Sequence, residues 1–176
     1  MEYNRKFVEN KGYEPYLTSK YPDKKLAILT CMDTRLLELL PAALGIKNGD
    51  AKIIKNAGGV IVHPYGSVVR SLLVGILELG VEEVMVIGHT DCGVQGMDGH
   101  EMLEKLVERG IDQQHIDIVR HSGIDLERWL GGFESVESSV HETVRSLKEH
   151  PLMPKNVRIS GFIMDSATGE LTRVEG

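Results

Sequence analysis

No stretch of this chain approaches the ~20 consecutive apolar residues that a membrane-spanning helix needs, so no membrane partner is expected. Positive charge is scarce as well. The 176 residues carry 20 Lys and Arg against 26 Asp and Glu, a formal charge of −6, and the basic residues are scattered rather than clustered. That leaves no electrostatic footprint for nucleic acid. Sulfur ligands are sparse: two cysteines exclude a disulfide framework. The opening Met1-Glu2-Tyr3-Asn4-Arg5-Lys6 lacks the apolar core of a signal peptide. The expectation is a cytoplasmic protein with reduced thiols, a setting that favours metal binding or catalysis over a structural disulfide. Repeats, low-complexity tracts and linkers are also missing. The chain therefore reads as one domain over residues 1–176, of a size that buries roughly 70% of its unfolded surface.

What is present is an alternation of apolar runs and helical patterns. Residues 1–24 read as a helical lead-in anchored by Phe7, Val8, Tyr13, Tyr16 and Leu17, a candidate surface for a partner subunit. Residues 26–30, 51–55, 83–88 and 157–164 read as strands, with 171–174 as a candidate fifth at the edge. Residues 36–44 form a leucine-rich helix stopped by Gly45, and 67–79 form a second, capped by Ser67 and ended by Gly80. The second is apolar on more than one face, which offers a subunit interface. Residues 94–132 read as short helices and loops, and 137–149 as an amphipathic helix closed by Pro151 and Pro154. Strand–helix alternation predicts an α/β fold with a central, mainly parallel sheet flanked by helices on both faces.

Both cysteines fall where a strand runs out. Cys31 opens Cys31-Met32-Asp33-Thr34-Arg35, and Cys92 closes His89-Thr90-Asp91-Cys92. That carboxyl edge is where ligands collect in open α/β sheets. Two thiolates and one imidazole meeting there would make a three-ligand zinc site with a vacant position, the catalytic pattern. The plainer alternative is that the cysteines are small buried hydrophobes and His89 a core histidine. Alternation points Cys31, Asp33 and Arg35 to one side, with Met32 and Thr34 packing away from it. There Arg35 can clamp Asp33 beside a metal, or the two can form a surface ion pair of little consequence.

Cys31-x-Asp33-x-Arg35, then Lys55-Asn56-Ala57-Gly58, then Gly88-His89-Thr90-Asp91-Cys92-Gly93 resemble in order and spacing the β-class carbonic anhydrases, most of all their compact archaeal and Gram-positive branch. The resemblance runs from about Leu26 to the last strand. It implies one Zn2+ per subunit on Cys31, His89 and Cys92, with Asp33 and Arg35 as the catalytic dyad. It implies reversible hydration of CO2 by zinc-bound hydroxide, with Asp33 accepting the hydroxide's hydrogen bond or, in a closed form, ligating the zinc itself. It also implies a homodimer or higher homo-oligomer with the site near the subunit interface. Val60, Ile61 and residues of the 67–79 helix are candidates to line an apolar slot for CO2, partner residues included. Gly59 and Lys55 depart from the family's more frequent residues. Hydrolysis of COS or CS2 on the same site is the near rival, and a non-catalytic zinc or redox-sensing module the distant one.

The remaining polar residues read more plainly. Asp91 reads as a residue that orients the loop or caps the helix after it, with the cap preferred, and Trp129 is assigned core or interface packing. His63, His100, His115, His121, His141 and His150 offer candidates for a proton shuttle but read mostly as exposed, and Asp112, Asp117 and Asp125 as too dispersed for a second metal.

Overall fold

The computed structural model describes residues 1–175. Four apolar strands, β1 (Leu26–Cys31), β2 (Ala51–Asn56), β3 (Glu83–His89) and β4 (Arg158–Met164), lie parallel, and β5 (Leu171–Val174) adds an antiparallel edge. Their spatial order is β2-β1-β3-β4-β5. Each element matches its sequence reading to within a residue or two, and 171–174 is indeed the fifth strand. The order puts β1 and β3, the strands that end in the two clusters, side by side. Thr30 pairs with Ile87 in the register, and the Thr30 hydroxyl donates to the Ile87 carbonyl at 2.8 Å.

Side chains alternate across the sheet, so its two faces build separate cores. On one face α2 (Leu36–Ala43) seats Leu36 and Leu40 against Ile28, Ile87 and Met164, with Cys31 and Cys92 in the same cluster. On the other, α3 (Ser67–Leu79) and α7 (Val136–Glu149) cover Ala27, Val84 and Val86 with Leu72, Val140, Val144 and Leu147. α7 comes close because β3 and β4 offer glycines beneath it. A Cβ on Gly88 would sit 2.7 Å from Val136 and 2.8 Å from Val140, and one on Gly161 would sit 2.7 Å from Val140.

The polar stretch that periodicity could not parse folds into α4 (Gly99–Glu108), α5 (Gln113–His121) and α6 (Leu126–Leu130), which share a small core of Leu103, Ile116 and Leu126. Aspartates punctuate it. The Asp98, Asp112 and Asp125 carboxylates each accept backbone N–H groups at a helix start, which satisfies orphan donors. Three sequence readings need correction. Ser67 is not the cap of α3, whose N-cap is Gly66 in an extended conformation, with Ser67 already inside the first turn. Met32 is 64% exposed rather than packed, because the chain leaves the sheet after Cys31 and strand alternation no longer governs it. Trp129 is 58% exposed, which excludes the core half of its core-or-interface reading, since the short α6 buries Leu126 and turns its other side outward.

Candidate metal centre

The two sulfurs arrive from adjacent strands. Cys31 is the last residue of β1 and Cys92 lies three positions beyond the end of β3; both are buried free thiols, with Sγ atoms 3.9 Å apart. His89 ends β3 and has no exposed surface. Its Nδ1 lies 2.8 Å from the Thr90 carbonyl oxygen, and a carbonyl can only accept, so Nδ1 carries the proton. Nε2 is left with a bare lone pair, buried and without a hydrogen-bond partner among the described residues. A buried polar atom in that condition costs stability unless something occupies it. The donor atoms of Cys31, His89 and Cys92 lie within 4.8 Å of one another. Two soft thiolates and an imidazole suit zinc rather than calcium or magnesium, and the Thr90 carbonyl on Nδ1 fixes the tautomer that a metal ligand needs. The donor set fits a metal.

Asp33 and Arg35 stand at its edge. Arg35 donates to Asp33 through three groups: its backbone N–H at 2.9 Å and Nε at 3.0 Å to Oδ1, and Nη2 at 2.8 Å to Oδ2. Asp33 Oδ2 is 3.8 Å from His89 Nε2. The Arg35 guanidinium holds the Asp33 carboxyl well below the usual carboxylate range, against a smaller upward push from burial. Asp33 is therefore an anion across the neutral range. Burial pushes the Lys55 ammonium down, opposed by the nearby Cys31 and Asp33.

Asp91 is not a helix cap. Its carboxylate accepts from Arg35 Nη1 at 2.8 Å and its backbone carbonyl from Arg35 Nη2 at 2.8 Å. Sequence reasoning missed this partner because the contact spans 56 positions and depends on β1 and β3 being neighbours.

The turn after β2 supports the site from the side. Asn56 pairs with Cys31 in the register, its carbonyl accepts from the Met32 N–H at 2.8 Å, and its side chain brackets Val60. Gly59 lies against β1 at φ +67°, where a Cβ would be 2.9 Å from the Thr30 carbonyl carbon and 3.0 Å from the Cys31 nitrogen. Backbone meets backbone there, beside a metal donor. Ile61 packs into the core shared by α3 and α7.

The family model described as carbonic anhydrase matches residues 26–171. The chain belongs to the β-carbonic anhydrase family. This β-carbonic anhydrase is similar to "Putative carbonic anhydrase YvdA" of Bacillus subtilis, 53% identical over 171 residues that cover 97% of this chain and 87% of the relative. It is also similar to the crystal structure of β-carbonic anhydrase isoform I from Trichomonas vaginalis, at TM-score 0.87 and 35% identity, covering 98% of this chain and 93% of that one. A carbon disulfide hydrolase of Acidithiobacillus thiooxidans is 31% identical over 158 residues, 85% of this chain and 76% of that protein. Among the described residues of this β-carbonic anhydrase, no helix is long and apolar enough to cross a membrane.

Metal loading should be coupled to proton release. Burial pushes the Cys92 thiol up, against the pull of the Val94 backbone N–H, so the metal-free thiol is neutral near pH 7. A metal binds the thiolate, so it must displace that proton, and apparent affinity falls as pH falls. Calorimetric titration of the metal-free protein with zinc, in buffers of different ionisation enthalpy, is expected to show at least one proton released per ion. Zinc binding without proton release would contradict the thiolate assignment.

Proposed function

We propose that the chain binds one zinc ion through Cys31, His89 and Cys92 and catalyses the reversible hydration of CO2 to bicarbonate and a proton. The observation that carries this reading is the fully buried His89, with Nδ1 committed to a carbonyl and Nε2 bare beside two thiols. Zinc held by such a set supplies a Lewis acid that lowers the pKa of water from 15.7 toward ~7.

The chain's own residues do the rest. Asp33, an anion with both oxygens oriented by Arg35, accepts a hydrogen bond from the reacting water and turns an oxygen lone pair toward CO2. Arg35 engages both carboxylate oxygens, which favours Asp33 held to the side over Asp33 as a fourth ligand. Val60, Ile61 and α3, with residues of a second copy, would form the apolar slot. The active form in this reading is a cytoplasmic homodimer or higher homo-oligomer of single-domain subunits. Two features support an association surface. α1 (Glu2–Glu9) buries no residue in its own chain. Tyr65, Leu77 and Leu152, each more than half exposed, border an apolar groove of about 450 Å3 along α3.

The relatives named carbon disulfide hydrolase favour a second reading, CS2 or COS hydrolysis by the same donors. Identity of 53% to a relative named putative carbonic anhydrase, against about 31% to those hydrolases, supports CO2 as the first reading. Stopped-flow kinetics of zinc-loaded protein with CO2 across pH 6.5–9, beside a CS2 hydrolysis assay, is the deciding experiment. A rate near the range of ordinary enzymes, roughly 10⁴–10⁸ M⁻¹s⁻¹ in kcat/KM, is expected for CO2. A protein with one zinc per chain and no CO2 turnover at any pH would sink the proposal. Sedimentation velocity on the same sample reads the oligomer, and a monomer would remove that part of it. One cooperative thermal transition is expected for a single domain.

A further inference from the structure

Arg35 has more partners than a two-residue dyad requires. Nε and Nη2 hold Asp33, while Nη1 donates to the Asp91 carboxylate and Nη2 donates also to the Asp91 carbonyl, both at 2.8 Å. Two aspartates from different strand ends thus grip opposite edges of one guanidinium. Asp91 does so from the loop between His89 and Cys92, with a left-handed backbone at φ +54°. Few non-glycine residues accept that conformation, and aspartate is among those that do so most readily. The loop tolerates it with both its carbonyl and its carboxylate turned to Arg35.

This arrangement controls a competition. Asp33 Oδ2 already lies 3.8 Å from His89 Nε2, closer than the 4.8 Å that spans the metal-donor set. A small rotation would bring that carboxylate to a bound cation, and its hydrogen bonds in the structure come from Arg35. An Arg35 held only by Asp33 would follow the carboxylate. An Arg35 also anchored on the ligand loop is a fixed point. We propose that Asp91 is a positioning residue: by holding the far edge of Arg35, it keeps the Asp33 carboxylate off the metal. The proposal rests on Cys31, His89 and Cys92 being the metal site, and it names what sets the dyad's geometry. An ion pair with a carboxylate 85% exposed adds little to folding stability, so a loss of Asp91 should be felt in geometry rather than in unfolding.

Cobalt(II)-substituted protein provides a readout that needs no substrate, because its visible absorption reports the ligands and coordination number. Asp91→Gly keeps the left-handed backbone without strain and deletes the carboxylate; Asp91→Asn keeps the shape without the charge. The Asp91→Gly spectrum is expected to move toward that of Arg35→Ala, with Asp91→Asn between it and wild type. In the zinc enzyme Asp91→Gly should lower kcat for CO2 about tenfold with KM nearly unchanged. The Asp91→Gly/Arg35→Ala double variant should be no slower than Arg35→Ala alone. A wild-type cobalt spectrum in Asp91→Gly, additive effects in the double variant, or metal loss in both single variants would each overturn the proposal. If the wild-type zinc enzyme proves inactive toward CO2, the function reading fails, and the cobalt comparison still decides the role of Asp91.

Discussion

His89→Ala is expected to purify with less than about a tenth of an equivalent of zinc, and to lose at least ~10³-fold in CO2 hydration. Partners that merely orient a metal ligand are worth 10–100-fold in affinity or activity, and His89 is one of the three residues that could hold the metal itself. Without the metal, water at the site returns toward its ordinary pKa, about nine units higher, which no side chain nearby offsets. The imidazole is also fully buried, so its deletion leaves a cavity and costs roughly 2–4 kcal/mol of stability. Cys92→Ser separates the two losses. It changes little volume, so metal and activity should fall while the melting temperature of the metal-free protein stays near wild type. Metal analysis, stopped-flow assay and thermal melts on both variants provide the check. A His89→Ala protein holding a full equivalent of zinc would mean that the donor set is misassigned.

Gly59→Val is expected to destabilise the protein by about 3 kcal/mol or more and to weaken zinc binding with it. Two costs add. The backbone at φ +67° is one that a β-branched residue adopts only as an outlier. The new Cβ would also meet the Thr30–Cys31 backbone at 2.9–3.1 Å, and backbone cannot move aside as a flexible side chain can. The displaced atoms belong to the peptide that carries Cys31, so relief of the clash shifts a metal donor. Gly93 is the control. It belongs to the more conspicuous His89-Thr90-Asp91-Cys92-Gly93 motif, yet a Cβ there meets nothing within 4 Å. Gly93→Ala should stay within about 0.5 kcal/mol of wild type, as surface changes away from special features do. Chemical denaturation and competitive zinc titration of both variants test the contrast. If Gly93→Ala is the more damaging, the account of Gly59 is wrong.

The strands were legible because burial on both faces forces continuous apolar runs, as in Ile28-Leu29 and Val84-Met85-Val86-Ile87. The cluster that could hold a metal was legible because strand ends collect function, and Cys31, His89 and Cys92 each follow such a run. The lateral order β2-β1-β3-β4-β5 was not, since a crossover passes over strands whose neighbours the local pattern does not name. Asp91 shows what that conceals. Beside His89 and Cys92 it looks like loop chemistry, and its role follows only from an arginine 56 positions away. Met32 failed for a simpler reason. A large apolar residue just past an element end keeps the pattern's appearance after the packing that justified it has stopped.

The contact between α7 and the sheet also constrains how this sequence can drift. Gly88 precedes His89 and faces Val136 and Val140 at distances that leave no room for a methyl group. Substitution at any of the three displaces the helix or the strand that carries His89, so these positions cannot change independently. A larger residue at 88 becomes tolerable only with smaller ones at 136 and 140, and lineages descending from this chain should exchange them together. Part of the candidate metal site's evolutionary history is therefore written in a helix that contributes no residue to it.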